Sequence, residues 1–250
     1  MCFHASQTKR VPELEERYEA KRNEVFEIQD TDFMGYHLNG FSHPELLVIP
    51  QESPFELHPS IWGIIPKGKS AADQNEYYKV QARYGGGLNA RSEKLFDYYV
   101  YKDSIYEKRC IIPLTGFFEP HDHNGKKIPF YFSDAQDGVL SVAGIYSITR
   151  DGALTMTMIT KEASPLFAKI HNTKKRQIVL LDRELEREWL RPDMNEKHIK
   201  ELINVEYDDK TLSTYPVTQD LFKTKVETNN SEIIRQKEYP ELGFVESLKN

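Results

Sequence analysis

Between residues 128 and 160 three apolar, β-branched runs follow one another with only five or six residues between them, 128–133 (IPFYFS), 139–146 (VLSVAGIY) and 153–160 (ALTMTMIT), after a further run at 110–114. Parallel strands need a crossover of a dozen residues or more, whereas antiparallel strands need only a turn. Turn residues stand where that requires them, DAQDG at 134–138 and RDG at 150–152. The spacing therefore predicts hairpins and an α+β fold, built on an antiparallel, barrel-like sheet with peripheral helices. Further strands are expected at 45–50 (ELLVIP), 61–65 (IWGII) and 176–181. Helices are expected at 11–27, where Leu14, Tyr18, Val25 and Phe26 stand among charges, and at 71–83, 92–102, 183–191 and 195–204. A chain of 250 residues with 39% hydrophobic content can bury one large core. We expect a single domain over 1–225 and a polar tail over 226–250, packed on the domain or weakly ordered.

Charge and cysteine usage narrow the function. A formal net charge of −6 argues against a protein that coats nucleic acid with its whole surface, so any such site must be a local basic groove. Lys67 with Lys69, Lys126 with Lys127, and Lys174, Lys175 with Arg176 could supply one. The two cysteines, Cys2 and Cys110, are too few for a disulfide framework and lack the spacing of a zinc site. There is no run of about 18 apolar residues and no secretory signal, so a soluble, cytoplasmic protein is expected. The GxSxG, GxxxxGK[ST] and HExxH patterns are absent, and neither a metal nor an organic cofactor is suggested.

Four segments carry residues with chemistry. Removal of Met1 would give Cys2 a free α-amine beside its thiol, and such a 1,2-aminothiol traps aldehydes: the amine forms an imine and the thiol closes a thiazolidine. GGGLNARSEKL at 85–95 sends Asn89 and Arg91 to the same side of an extended segment, a pair suited to a phosphodiester. RCIIPLTGFFEP at 109–120 runs from a strand through a turn at Gly116 to Glu119, a carboxyl whose aromatic neighbours would raise its pKa into the range for proton transfer. In ITKEASPLFAKIHNTKKRQIVLL at 159–181, His171 stands between a short apolar helix and a basic turn.

Taken in order, MC, WGxxP (Trp62 to Pro66), NARxE (Asn89 to Glu93), RCxxPxxGFxE (Arg109 to Glu119), AGIY (Ala143 to Tyr146) and IxT…IH…R…VLL (Ile159 to Leu181) resemble the SRAP family, the SOS-response-associated peptidases that crosslink to abasic DNA. The resemblance continues through EREWL and YPV (Tyr215 to Val217), and so covers nearly the whole chain. It implies a sensor of abasic sites in single-stranded DNA that shields the lesion through a stable thiazolidine rather than by ordinary turnover. Carried over by position, Cys2 is the nucleophile, Asn89 orients the linkage, Glu119 and His171 move protons, and Arg91 and Arg176 hold flanking phosphates. The sequence departs from the family where Phe3 and His4 replace the usual Gly-Arg and where Pro120 replaces a tryptophan. Lys67 to Lys69 stand in place of aromatics, Gln177-Ile178 in place of Met-Pro, and YHLNGFSHP at 36–44 matches poorly enough to receive no role. Two other functions use the same residues: an N-terminal-cysteine amidohydrolase, with His171 as base and Asn89 as oxyanion donor, or a DNA-binding module without chemistry.

Overall fold

The computed structural model describes residues 2–136 and 138–248, the side chains of residues 246 and 247 excepted. Met1, Asp137 of the expected turn at 134–138, and Lys249 and Asn250 of the expected tail lie outside the described residues.

The chain runs β1 (His4–Gln7), α1 (Val11–Tyr18), β2 (Lys21–Arg22), β3 (Gly35–Asn39), β4 (Glu45–Pro50), β5 (Glu56–Trp62), α2 (Gln74–Gln81) and β6 (Asn89–Arg91). It continues through α3 (Ser104–Glu107), β7 (Arg109–Leu114), β8 (Gly116–His123), β9 (Lys126–Asp134), β10 (Leu140–Ile148) and β11 (Leu154–Glu162). Last come α4 (Pro165–Ile170), β12 (Arg176–Ile178), β13 (Leu180–Leu181), α5 (Arg183–Trp189), α6 (Glu196–Asn204) and β14 (Leu212–Pro216). Among the described residues the strands form two sheets, one in the order β14-β9-β8-β1-β3 and a larger one in the order β12-β11-β10-β7-β4-β5-β2. A short parallel pairing of β11 with β5, Thr155 on Ile61 and Met156 on Trp62, curls the larger sheet back on itself. The hairpin expected at RDG forms between β10 and β11, but the one expected at DAQDG does not: β9 and β10, on either side of it, belong to different sheets, and β9 pairs instead with β8 in a hairpin that was not expected.

The apolar runs are continuous because the larger sheet is covered on both faces. In β4, Leu46 and Val48 enter the core between the sheets, while Leu47 and Ile49 enter the outer core beneath α1, α5 and α6. In β7, Cys110, Ile112 and Leu114 face inward and Ile111 outward, the alternation a pleated strand requires. Phe117, Phe132 and Phe167 stack across the inner core, with ring centroids 5.0 Å apart for the first pair and 4.7 Å for Phe132 with Phe167.

Two expected helices are corrected. The helix expected over 11–27 stops at Tyr18, because Glu19 is left-handed (φ 52°) and turns the chain into β2; Val25 is 81% exposed. Residues 92–102 form a single 3-10 turn, Ser92–Lys94, followed by further turns. Their buried apolar positions, Leu95 and Val100, are five apart and make no helical stripe. The strand expected over 61–65 lies earlier, as β5, and ends at Trp62. Gly116, expected to turn the chain, is instead the first residue of β8.

Candidate active site

Strand β1 lies between β3 and β8, with His4 opposite Asn39 on one side and Phe118 on the other. An N-terminal segment tied into the middle of a sheet is held in place, and Cys2, immediately before it, is fully buried. Its thiol lies 3.4 Å from the His4 carbonyl, to which it donates. Burial, reinforced by the charge of Glu119, raises the thiol pKa, so Cys2 rests protonated and needs a base to become a nucleophile.

Asn89 holds Cys2 from the opposite side. Its Nδ2 donates to the Cys2 carbonyl at 2.7 Å, and its Oδ1 is buried without a protein hydrogen-bond partner. The amide is placed by β6, which pairs in parallel with β11, Asn89 beside Met158 and Arg91 beside Thr160. The glycines that precede β6 make this fit possible. Gly87 has φ +72° and approaches Ile64 so closely that a Cβ would stand 2.8 Å from the Ile64 carbonyl oxygen. Trp62 adds a second tether, its Nε1 donating to the Leu88 carbonyl at 2.9 Å.

Glu119 lies in the middle of β8, paired with Phe130 and fully buried, not at a strand end. Burial pushes its carboxyl up to about 7. His171 follows α4, its backbone N–H bonded to the Phe167 carbonyl at 2.7 Å. Its Nδ1 is 3.2 Å from Glu119 Oε2 and 3.1 Å from the Arg176 carbonyl. A carbonyl only accepts, so Nδ1 carries the hydrogen and Nε2 the lone pair. Burial holds the imidazole down at about 4, keeping it neutral at ordinary pH. Glu119 can give and accept a proton near neutrality, with the neutral imidazole of His171 held against it.

Two grooves are lined by residues around Cys2. One, of about 590 Å³, is lined by Phe3, His4, Phe41, Phe118, His171 and Lys127, among others. The second, of about 730 Å³, carries Asn89, Arg91, Lys94 and Arg176 together with Tyr77, Tyr84, Tyr98 and Tyr101. Lys174 lines both. Cationic clusters thus gather at one place on an acidic chain, although Lys67 is drawn away into a pair with Asp103 at 3.0 Å. Arg91 is 59% exposed at its side chain, with its Nε 3.7 Å from Glu93 Oε2. Arg176 is buried and engaged, pairing with both carboxylate oxygens of Glu93 and donating to the Thr160 carbonyl at 2.8 Å. The structure therefore brings Cys2, Asn89, Glu119 and His171 into one site with Arg91 open beside them, and makes Arg176 a wall of the groove. Sequence reading passed over the tyrosines. Their signal was present as EYYKVQARY and DYYVY, where aromatics sit among charges without the spacing of a core-facing helix.

Fold and site together define a class: an α+β domain that draws the second residue of its chain into a sheet, against a buried carboxyl and imidazole pair. Residues 1–224 match the family described as SOS response associated peptidase (SRAP), and the chain belongs to that family. Its relatives include the abasic site processing protein YobE of Bacillus subtilis, 32% identical over 162 residues that span 63% of this chain and 68% of that protein. Another is the abasic site processing protein YMR114C of Saccharomyces cerevisiae, 28% identical over 177 residues, of which the match spans 45%. A crystal structure of a protein from Bacteroides thetaiotaomicron superposes with a TM-score of 0.81 at 30% identity, covering 94% of this chain and all of that one. A Bordetella bronchiseptica protein at 22% identity shares the fold, with a TM-score of 0.69 over 87% of this chain and all of that one. Among the described residues no group of His, Cys, Asp or Glu is placed to hold a metal ion, and no helix is long and apolar enough to cross a membrane.

Proposed function

We propose that this chain captures abasic sites in single-stranded DNA as a covalent thiazolidine. The observation that carries the reading is the burial of Cys2 beside Asn89 and Glu119, with Asn89 lining one basic, aromatic groove and His171, paired with Glu119, lining another. The relatives named as abasic site processing proteins support the same substrate. The chemistry requires the α-amine of Cys2, released by removal of Met1. The amine adds to the aldehyde carbon of the ring-opened sugar and gives a carbinolamine. Glu119, held protonated toward neutral pH by its burial, donates a proton as the hydroxyl leaves as water, and a protonated imine remains beside the Glu119 carboxylate. The Cys2 sulfur then adds to the iminium carbon while its proton passes to the Glu119 carboxylate, which restores the acid beside His171. Each bond broken is matched by one formed, and water is the only molecule lost. Asn89 Oδ1, the buried acceptor without a partner, receives the ring N–H. Tyrosine rings along the second groove offer stacking surfaces to the bases, and Arg91 and Lys94 stand beside them for phosphates.

Amide hydrolysis fits less well, because the Asn89 donor that would serve an oxyanion is already occupied by the Cys2 carbonyl. The test is incubation with a single-stranded oligonucleotide carrying one abasic site, followed by a denaturing gel. Wild type should give a heat-stable adduct that Cys2→Ser and a retained Met1 both abolish. A wild-type chain that leaves the oligonucleotide unmodified ends the proposal.

A further inference from the structure

The turn after β3, within the YHLNGFSHP stretch to which sequence reading gave no role, presents a large apolar side chain to solvent: Phe41 is 53% exposed. The turn is built to keep it there. The Asn39 side chain accepts from the Phe41 backbone N–H at 3.1 Å, and the Ser42 hydroxyl donates to the Asn39 carbonyl at 2.7 Å. Gly40 donates its N–H to the Phe3 carbonyl at 2.8 Å. A Cβ at Gly40 would stand 3.0 Å from Leu88 Cδ1 and 3.1 Å from that carbonyl oxygen, so the close approach depends on its absence. Phe41 is thereby pressed onto Phe3, with ring centroids 4.9 Å apart and 29° between the planes.

Phe3 is the neighbour of Cys2, and both rings line the groove that also holds His171, Lys127 and Lys174. A fixed aromatic face beside two cations matches one chemistry well, a planar base joined to a phosphate. One carboxylate, Asp122, also lines the groove, so an apolar peptide would still leave its net positive charge without a counter-charge. We propose that the Phe3–Phe41 pair seats the nucleobase next to the abasic site and favours a purine there, since the larger ring system covers more of the aromatic face. This inference rests on abasic DNA being the substrate.

The experiment measures equilibrium binding by the Cys2→Ser chain, which separates docking from capture. The probes are single-stranded oligonucleotides with a tetrahydrofuran abasic analogue, flanked on the 5′ or the 3′ side by 2-aminopurine, by thymine or by a second analogue with no base. The expected result is quenched 2-aminopurine fluorescence and, on one side, affinity at least about fivefold higher for the purine flank than for the baseless one. Adding Phe41→Ala should remove both effects and Phe41→Trp should restore them, with matched unfolding midpoints showing that all variants are folded. Equal binding of all flanks, or a preference that survives Phe41→Ala, overturns the seat. If wild type still forms its adduct in that case, only the seat falls. If it neither binds nor crosslinks, the abasic-DNA reading falls with it.

Discussion

Replacing Glu119 by glutamine tests the buried proton donor directly. Burial lifts the carboxyl from 4.5 to about 7, and each unit corresponds to about 1.4 kcal/mol, so ionising this group in the folded chain costs up to about 3 kcal/mol more than in the unfolded one. Below pH 4.5 both states hold the proton and no penalty exists. As pH rises toward 7, the unfolded chain releases its proton while the folded chain keeps it, so wild-type stability is lost across that window and the loss levels off above it. Glutamine fills nearly the same volume and does not titrate. Denaturant unfolding of both chains from pH 4 to pH 9 should therefore show the variant gaining about 2–3 kcal/mol relative to wild type between pH 4.5 and pH 7, then holding that difference. The altered contact with His171 adds an offset but no slope of this kind. Because an amide cannot protonate the departing hydroxyl, adduct formation should slow at least about tenfold in the same variant. A pH-independent difference, or a variant that becomes relatively less stable with rising pH, would refute the assignment of Glu119 as a carboxyl held protonated by its surroundings.

Three further outcomes are expected. Asn89→Ala strips the buried Cys2 carbonyl of its 2.7 Å donor, and should lower unfolding free energy by about 1–3 kcal/mol and slow adduct formation in a single-turnover assay. Arg91→Ala, at a side chain 59% exposed, should leave the unfolding midpoint in place and weaken binding to single-stranded DNA; a plot of log affinity against log salt should become shallower by about 0.7 if one phosphate contact is lost. Gly87→Ala forces a side chain onto φ +72° and within 2.8 Å of the Ile64 carbonyl oxygen, so thermal unfolding should report a loss of about 2–4 kcal/mol.

Much of the chain could be read from its order of residues. The hairpin of β10 with β11 followed from close spacing and turn residues, whereas that of β8 with β9 did not, and the continuous runs in β4 and β7 carried the signature of strands buried on both faces. Asn89 and Arg91 were placed on one side of an extended segment by alternation alone, and both line the same groove. Helix ends were harder, because the backbone of Glu19 decides where α1 stops and neighbouring β5 decides where the chain goes next. The short strands β1 and β3 were missed for a related reason: His4–Gln7 and Gly35–Asn39 have too little apolar alternation to declare themselves, and become strands through their partners.

What the sequence by itself determined was the supply of chemistry: a cysteine behind the initiator, an amide and an arginine two apart, a carboxyl after two phenylalanines and a histidine before a basic turn. Only the tertiary structure decided which of these meet and in what state. Inserting β1 between β3 and β8 removes water from Cys2 and Glu119 together, and that desolvation, a property of packing rather than of any residue, raises both pKa values. The same packing buries Arg176 against Glu93 and leaves Arg91, 3.7 Å from the same carboxylate, with its side chain mostly in solvent, although nothing along the chain distinguishes the two guanidinium groups. Charge state and availability depend on the dielectric and the partners that surround a side chain, and those come from residues far away in sequence.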